Sequence, residues 1–195
     1  MALLPQSRLW QRIDVAGAEQ VFFDDRSGLR AEGTIVAAER VPCTCRYELA
    51  TDPEWRTTSF LVRAEGAGWA RQVRLEREHG SWRVTTEQRG TLAAELPGIE
   101  EPGRLDDAVD VDLFASPLTN TLPIRRLGLA EPGTRHEILA AWVMLPSLQV
   151  IPSKQSYTAL GGGRVRYASG SFSAELTVDE QGFVRHYPGL AETGS

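Results

Sequence analysis

Apolar and polar residues alternate with a period of two along most of this chain. In "SFSAELTVD", Phe172, Ala174, Leu176 and Val178 share one face, and Ser173, Glu175 and Thr177 share the other. That is the pattern of a half-buried strand. "RYELATD", "RTTSFLVRAEG", "GWARQVRLERE" and "GSWRVTTEQ" follow the rule less cleanly. Turn signals separate such runs: "DDRSG" before Leu29, "EHGSW" around Gly80 and "DEQG" before Phe183. The series predicts a meander of about ten antiparallel strands.

So many strands must curl, split into two sheets or close into a barrel. The expected fold is therefore mainly β: a single antiparallel barrel-like or strongly curved sheet with one or two short helical turns. A closed or half-closed barrel of this kind can enclose a small ligand. "ILAAWVML" (138–145) has a length that fits a buried helix or a strand, and its Ile, Trp and Val favour a strand covered on both faces. "GIEEPGRL" and "ALGGGRVRY" read as loops. No repeat and no composition shift marks a linker, so residues 1–195 read as one β-domain.

One stretch breaks the alternation. "DVDLFASPLTNTLPIRR" (110–126) packs two aspartates, two prolines, an amide and two adjacent arginines into one short segment. Val109, Val111 and Leu113 fall on one strand face, with Asp110 and Asp112 on the other. Ser116-Pro117 reads as a helix start, serine capping and proline first. Pro123 is expected to end that turn, and "IRRLGL" to make another, stopped by Gly128. If the chain doubles back, Arg125 or Arg126 meets Asp110 or Asp112, with Asn120 bonding exposed backbone. Such a pinned lid needs no ligand. The same residues can equally line a pocket and hold a polar head group.

"DVDLFASPLTNTLPIRRLGL" resembles the signature of the bacterial family of putative glycolipid-binding proteins. "RLWQRIDVAGAEQVFF", "YELATDPEWRTTSFLV" and the closing "GSFSAELTVDEQGFVRHYPGL" resemble its other ordered blocks. The resemblance spans nearly the whole chain, with the signature at 108–128. It implies a barrel-like β-domain similar to bacterial lipoprotein carriers. The chain departs from it at Ala108, where a cysteine is expected, and in the tail "AETGS", where an aromatic or basic end is expected.

Composition narrows the field. The 195 residues carry a net charge of −5 and no basic cluster, which argues against nucleic acid as a partner. Lys154 is the only lysine among the 21 cations, and arginine favours fixed pairing with carboxylates or phosphates. "MALLPQSRLW" lacks a leader's basic start and apolar run, and no run is long enough for a transmembrane helix. A cytoplasmic location is the expectation. Cys43 and Cys45 share a strand face, poorly placed to bond each other, and read as core thiols.

His79, His136 and His186 have no metal-ligand spacing, and His79 falls in a hairpin turn. No nucleophile elbow and no phosphate loop is present, so no catalytic residue, metal or cofactor is assigned. The five tryptophans are spread over the strands, and Tyr157, Tyr167 and Tyr187 gather near the end. Such aromatics serve core packing and also sugar or acyl contact.

The favoured reading is a non-enzymatic protein that binds a glycolipid or other amphipathic small molecule through Asp110, Asp112, Asn120, Arg125, Arg126, Trp142 and Tyr187. The alternatives are a hydrolase or isomerase using Asp110, Asp112 or Glu175 as acid and base, and an interaction module with a filled core. Ligand identity and oligomeric state stay open at the level of sequence.

Overall fold

The structure, a computed structural model, describes residues 4–129 and 132–194. Seven strands come first: β1 (Ser7–Arg12), β2 (Gly17–Asp24), β3 (Arg30–Ala37), β4 (Cys43–Thr51), β5 (Thr57–Gly66), β6 (Trp69–Glu78) and β7 (Ser81–Gly90). A 3-10 turn, Pro102–Leu105, leads to β8 (Asp110–Leu113) and to helix α1 (Pro117–Arg126). The chain ends with β9 (Arg135–Val143), β10 (Val150–Gly161), β11 (Arg164–Ser169), β12 (Phe172–Val178), β13 (Val184–Tyr187) and β14 (Ala191–Thr193).

The fourteen strands of the described residues form one sheet, ordered β7-β6-β5-β4-β3-β2-β1-β14-β13-β12-β11-β10-β9-β8. Two antiparallel meanders meet where β1 pairs with β14, Trp10 opposite Thr193. More strands exist than the expected ten. β13 and β14 have only four and three residues, too few to show a period.

The sheet curls strongly but is not a closed barrel. Its end strands are β7 and β8, and β8 adds to β9 in parallel over four residues only. Side chains and a few isolated backbone bonds, such as Thr57 N–H to Val109 O at 3.2 Å, join the two ends instead of a ladder. Val73, Leu75 and Trp82 share one apolar core with Val111, Leu113, Ala141 and Val143. Trp82 Nε1 donates to Ala108 O at 2.9 Å. Arg71, on the inward parity of β6, donates to Ser147 O at 2.9 Å and to Glu95 O, tying in the connections that cross there.

"ILAAWVML" forms most of β9, and Ala140, Ala141 and Val143 are buried on both parities, as expected of a doubly covered strand. "ALGGGRVRY" is not a loop: it holds the end of β10 and the start of β11, with only Gly162 and Gly163 between. "GIEEPGRL" contains the 3-10 turn. Trp55 lies in the β4–β5 connection rather than on a strand. Cys43 and Cys45 are free thiols on β4, half-buried and buried.

The two expected turns are one helix. α1 runs straight through Pro123 and stops where Gly128, at φ 57, donates to Arg125 O. A proline inside a helix removes one backbone bond and costs about 3 kcal/mol. The fold tolerates it because every residue from Pro117 to Ile124 is buried. Leu118, Leu122 and Ile124 each contribute about 1.5–3 kcal/mol on burial, which outweighs that cost. The helix packs against β8 and β13.

Candidate functional site

The turn from β8 into α1 aims the signature segment inward. Ala115 takes a left-handed conformation, φ 66, and Ser116 N–H closes the turn on Leu113 O at 3.0 Å. Ser116 occupies the cap position, yet its hydroxyl makes no bond to its own helix. It donates to Glu19 Oε1 on β2 at 2.5 Å, where Tyr47 Oη also donates at 2.5 Å. Tyr47 reaches Glu19 by lying across Gly33: a Cβ there would stand 2.0 Å from the ring. Burial pushes the Glu19 carboxyl up to about 7, with the Ser116 and Tyr47 bonds opposing it. Glu19 Oε2 is buried with no hydrogen-bond partner, as a protonated or nearly neutral carboxyl tolerates.

A second network holds the helix from the other side. Asp112 accepts from Thr119 Oγ1 at 2.9 Å and from Gln155 Nε2 at 2.7 Å. Tyr157 Oη lies 3.1 Å from Asn120 Oδ1 and 3.3 Å from Gln155 Oε1. Burial raises the Asp112 carboxyl to about 6 against the Thr119 and Gln155 bonds, and raises the Tyr157 hydroxyl well above its ordinary value. Asn120 therefore serves a buried tyrosine rather than exposed backbone.

The expected fold-back contact exists as Arg126 with Asp110. Nε and Nη2 reach the two carboxylate oxygens at 3.2 and 2.5 Å. The Asp110 side chain is 1% exposed and that of Arg126 18%. Burial raises the Asp110 carboxyl and the guanidinium pulls it back. Arg125 goes elsewhere. It stacks on Trp55 at 4.1 Å and donates to Gln181 O at 2.7 Å, on the wall of a separate cleft of about 470 Å³ among hairpin tips.

Trp142 stands beside Asp112 in the β8–β9 register and packs near Phe114, ring centres 6.5 Å apart. Tyr187 joins Tyr167 and Phe172, centroids 6.3 and 6.4 Å away, and Tyr157 stacks on Tyr167 at 5.3 Å. Of the seven expected residues, Asp110 and Arg126 form one pair. Asp112 and Asn120 are linked through Gln155 and Tyr157. Trp142 and Tyr187 flank that network, and Arg125 stands apart.

A second cleft follows from the shortness of β8. It pairs only with Ala140–Val143 of β9, so no strand among the described residues covers that side of Arg135–Leu139. There a cleft of about 610 Å³ opens. Its lining mixes apolar residues (Val109, Leu127, Ile138, Leu139, Ala168) with charged and polar ones (Asp107, Arg126, Arg135, Glu137, Lys154, Ser156, Ser169). Only Arg126 of the expected site lines it. Lys154 is the cross-strand partner of Leu139, so cation and apolar side chain adjoin.

Sequence reasoning passed over Glu19, and a signal was there: it shares its strand parity with Val21 and Phe23, the inward side. The cleft left no such mark, because it arises from where β8 begins. Glu175 is an exposed residue paired with Arg164 at 3.0 Å, and His186 sits 3.5 Å from Glu192. Among the described residues no group of three or more His, Cys, Asp or Glu could hold a metal ion, and no helix is long and apolar enough to cross a membrane.

Fold and cleft together define a curved-sheet β-protein whose buried helix leaves an opening of mixed apolar and polar lining at a sheet edge. The chain belongs to the family of putative glycolipid-binding proteins, which it matches over residues 7–193. It is similar to the crystal structure of a DUF1089 family protein from Pseudomonas aeruginosa, with a TM-score of 0.70 and 27% identity. That match covers 98% of this chain and 94% of the other. No curated protein matches.

Proposed function

We propose that the protein binds an amphipathic molecule of the glycolipid kind in the cleft beside β9 and releases it unchanged. The observation that carries this reading is the mixed lining: Leu127, Ile138 and Leu139 border the same cleft as Arg126, Lys154 and Ser156. An acyl chain against the apolar residues gains about 0.8 kcal/mol per buried methylene. A head group finds donors in Arg126 and Lys154. Membership of the family supports the ligand class.

The carboxylates of the alternative hydrolase are committed to protein partners. Asp110 gives both oxygens to Arg126, and Asp112 gives its oxygens to Thr119 and Gln155. A general base needs an oxygen within reach of its substrate. Incubation with defined glycolipids, followed by native mass spectrometry, separates the readings. Retention without product is expected. Turnover abolished in Asp112→Asn would establish the hydrolase, and neither retention nor turnover would leave an interaction module.

A further inference from the structure

The hydrogen-bonding character of the cleft goes beyond amphipathic recognition. Resting on the binding reading above, we propose that its ligand carries an acidic head group, a carboxylate or phosphate ester, held by Arg126 and Lys154.

Two cations of the lining, Arg126 and Lys154, keep donors that no protein acceptor uses among the described residues. Arginine and lysine side chains donate and cannot accept. Arg126 is held in place by Asp110 through Nε and Nη2, which leaves Nη1 free of any partner among the described residues. Lys154 is exposed and has no carboxylate within ion-pairing distance among those residues. Of the neutral groups that could accept from a sugar, Gln155 and Ser169 are already used and the Ser156 hydroxyl remains. Gln155 gives its amide nitrogen to Asp112 and lies by its amide oxygen 3.3 Å from the Tyr157 hydroxyl. Ser169 Oγ is engaged with Ser153 Oγ and Lys154 O.

The two lining carboxylates do not reverse this. Glu137 is 78% exposed and paired with Arg135 at 2.9 Å, and Asp107 is exposed on the loop that precedes β8. A neutral sugar's hydroxyls can accept from these donors but bring no charge to the two cations. An oxyacid accepts from all of them, and charge-assisted bonds are about twice as strong as neutral ones. That a chain of net charge −5 places its only lysine on this wall, beside Leu139, fits the same ligand.

The test compares dodecyl glucuronide and dodecyl phosphate with dodecyl glucoside, all below their micelle concentrations, with glucuronate alone as a fourth probe. One acidic amphiphile should bind about tenfold tighter than the glucoside at low salt, the yield of one charged hydrogen bond. The advantage should shrink as salt is raised. Lys154→Ala, an exposed substitution, should erase most of the advantage, weakening the acidic amphiphiles far more than the glucoside. Equal binding of all three amphiphiles overturns the acidic head group while the amphipathic reading stands. No binding of any amphiphile overturns both. Glucuronate binding as tightly as its dodecyl ester would assign the site to a free acid and overturn the lipid-like ligand.

Discussion

Ser116 donates to Glu19 across 97 positions of sequence, and the bond joins the first turn of α1 to β2. A serine at a helix start ordinarily serves its own backbone. Here the hydroxyl turns outward to a buried carboxyl. The helix is thereby tied to the first meander, while Asp112 and Gln155 tie it to the second. Both ties rest on carboxyl groups that burial drives toward the neutral form.

Stability should therefore fall as pH rises. Glu19 goes from an ordinary 4.5 to about 7, and Asp112 from 3.8 to about 6. A raised acid contributes fully below its unfolded value and loses that contribution up to its folded value. For Glu19 the window is about 4.5 to 7, and the loss is about 3 kcal/mol. Denaturant midpoints measured from pH 4 to 8, for the parent and for Glu19→Gln, check this. The parent curve should decline across that window relative to the variant, and parallel curves would refute it.

Gly33→Ala should damage the same tie from a distance. The new methyl would stand 2.0 Å from the Tyr47 ring, so the ring must move and its hydroxyl must leave Glu19. Overpacking of this kind costs about 1–3 kcal/mol. A Tyr47→Phe background separates steric cost from the lost bond. There Gly33→Ala should cost less than it does alone, because the hydroxyl contact is already gone.

Arg126→Ala should destabilise more than Asp110→Asn. Removing the arginine strands a carboxylate that is 1% exposed, whereas removing the carboxylate leaves a guanidinium 18% exposed that reaches water. An uncompensated buried charge costs about 3–5 kcal/mol. The penalty for Arg126→Ala should shrink at acid pH, where Asp110 can take up a proton. Urea titrations of both variants at pH 5 and pH 8 test the order and the trend.

The sheet was legible in the sequence because period two survives wherever one face is buried, as in β6 and β12. The Asp110–Arg126 pair was legible because a serine-proline start and a glycine stop make a short return. Pro123 misled, since local propensity says nothing of a helix buried all round. The partners of Ser116 and Asn120 were hidden for the same reason: Glu19 and Tyr157 lie on strands far off in sequence, and register alone brings them close. Lack of closure was hidden too. It depends on β8 having four residues and a parallel neighbour.

The cleft makes a final prediction about chain length. Its lining includes the half-buried Leu139 and Ile138 of the uncovered part of β9. Each added methylene of a bound chain that still reaches this wall should tighten binding by about 0.8 kcal/mol, roughly fourfold. Affinity should stop rising once the chain outgrows the cleft. Leu139→Ala should weaken long-chain ligands severalfold and hardly affect the shortest. Its effect on unfolding should be small, because the side chain is not fully enclosed. A calorimetric series of alkyl glycosides, run on the parent and on this variant, checks both statements. Affinity independent of chain length would move the ligand off this wall and leave the cleft a polar one.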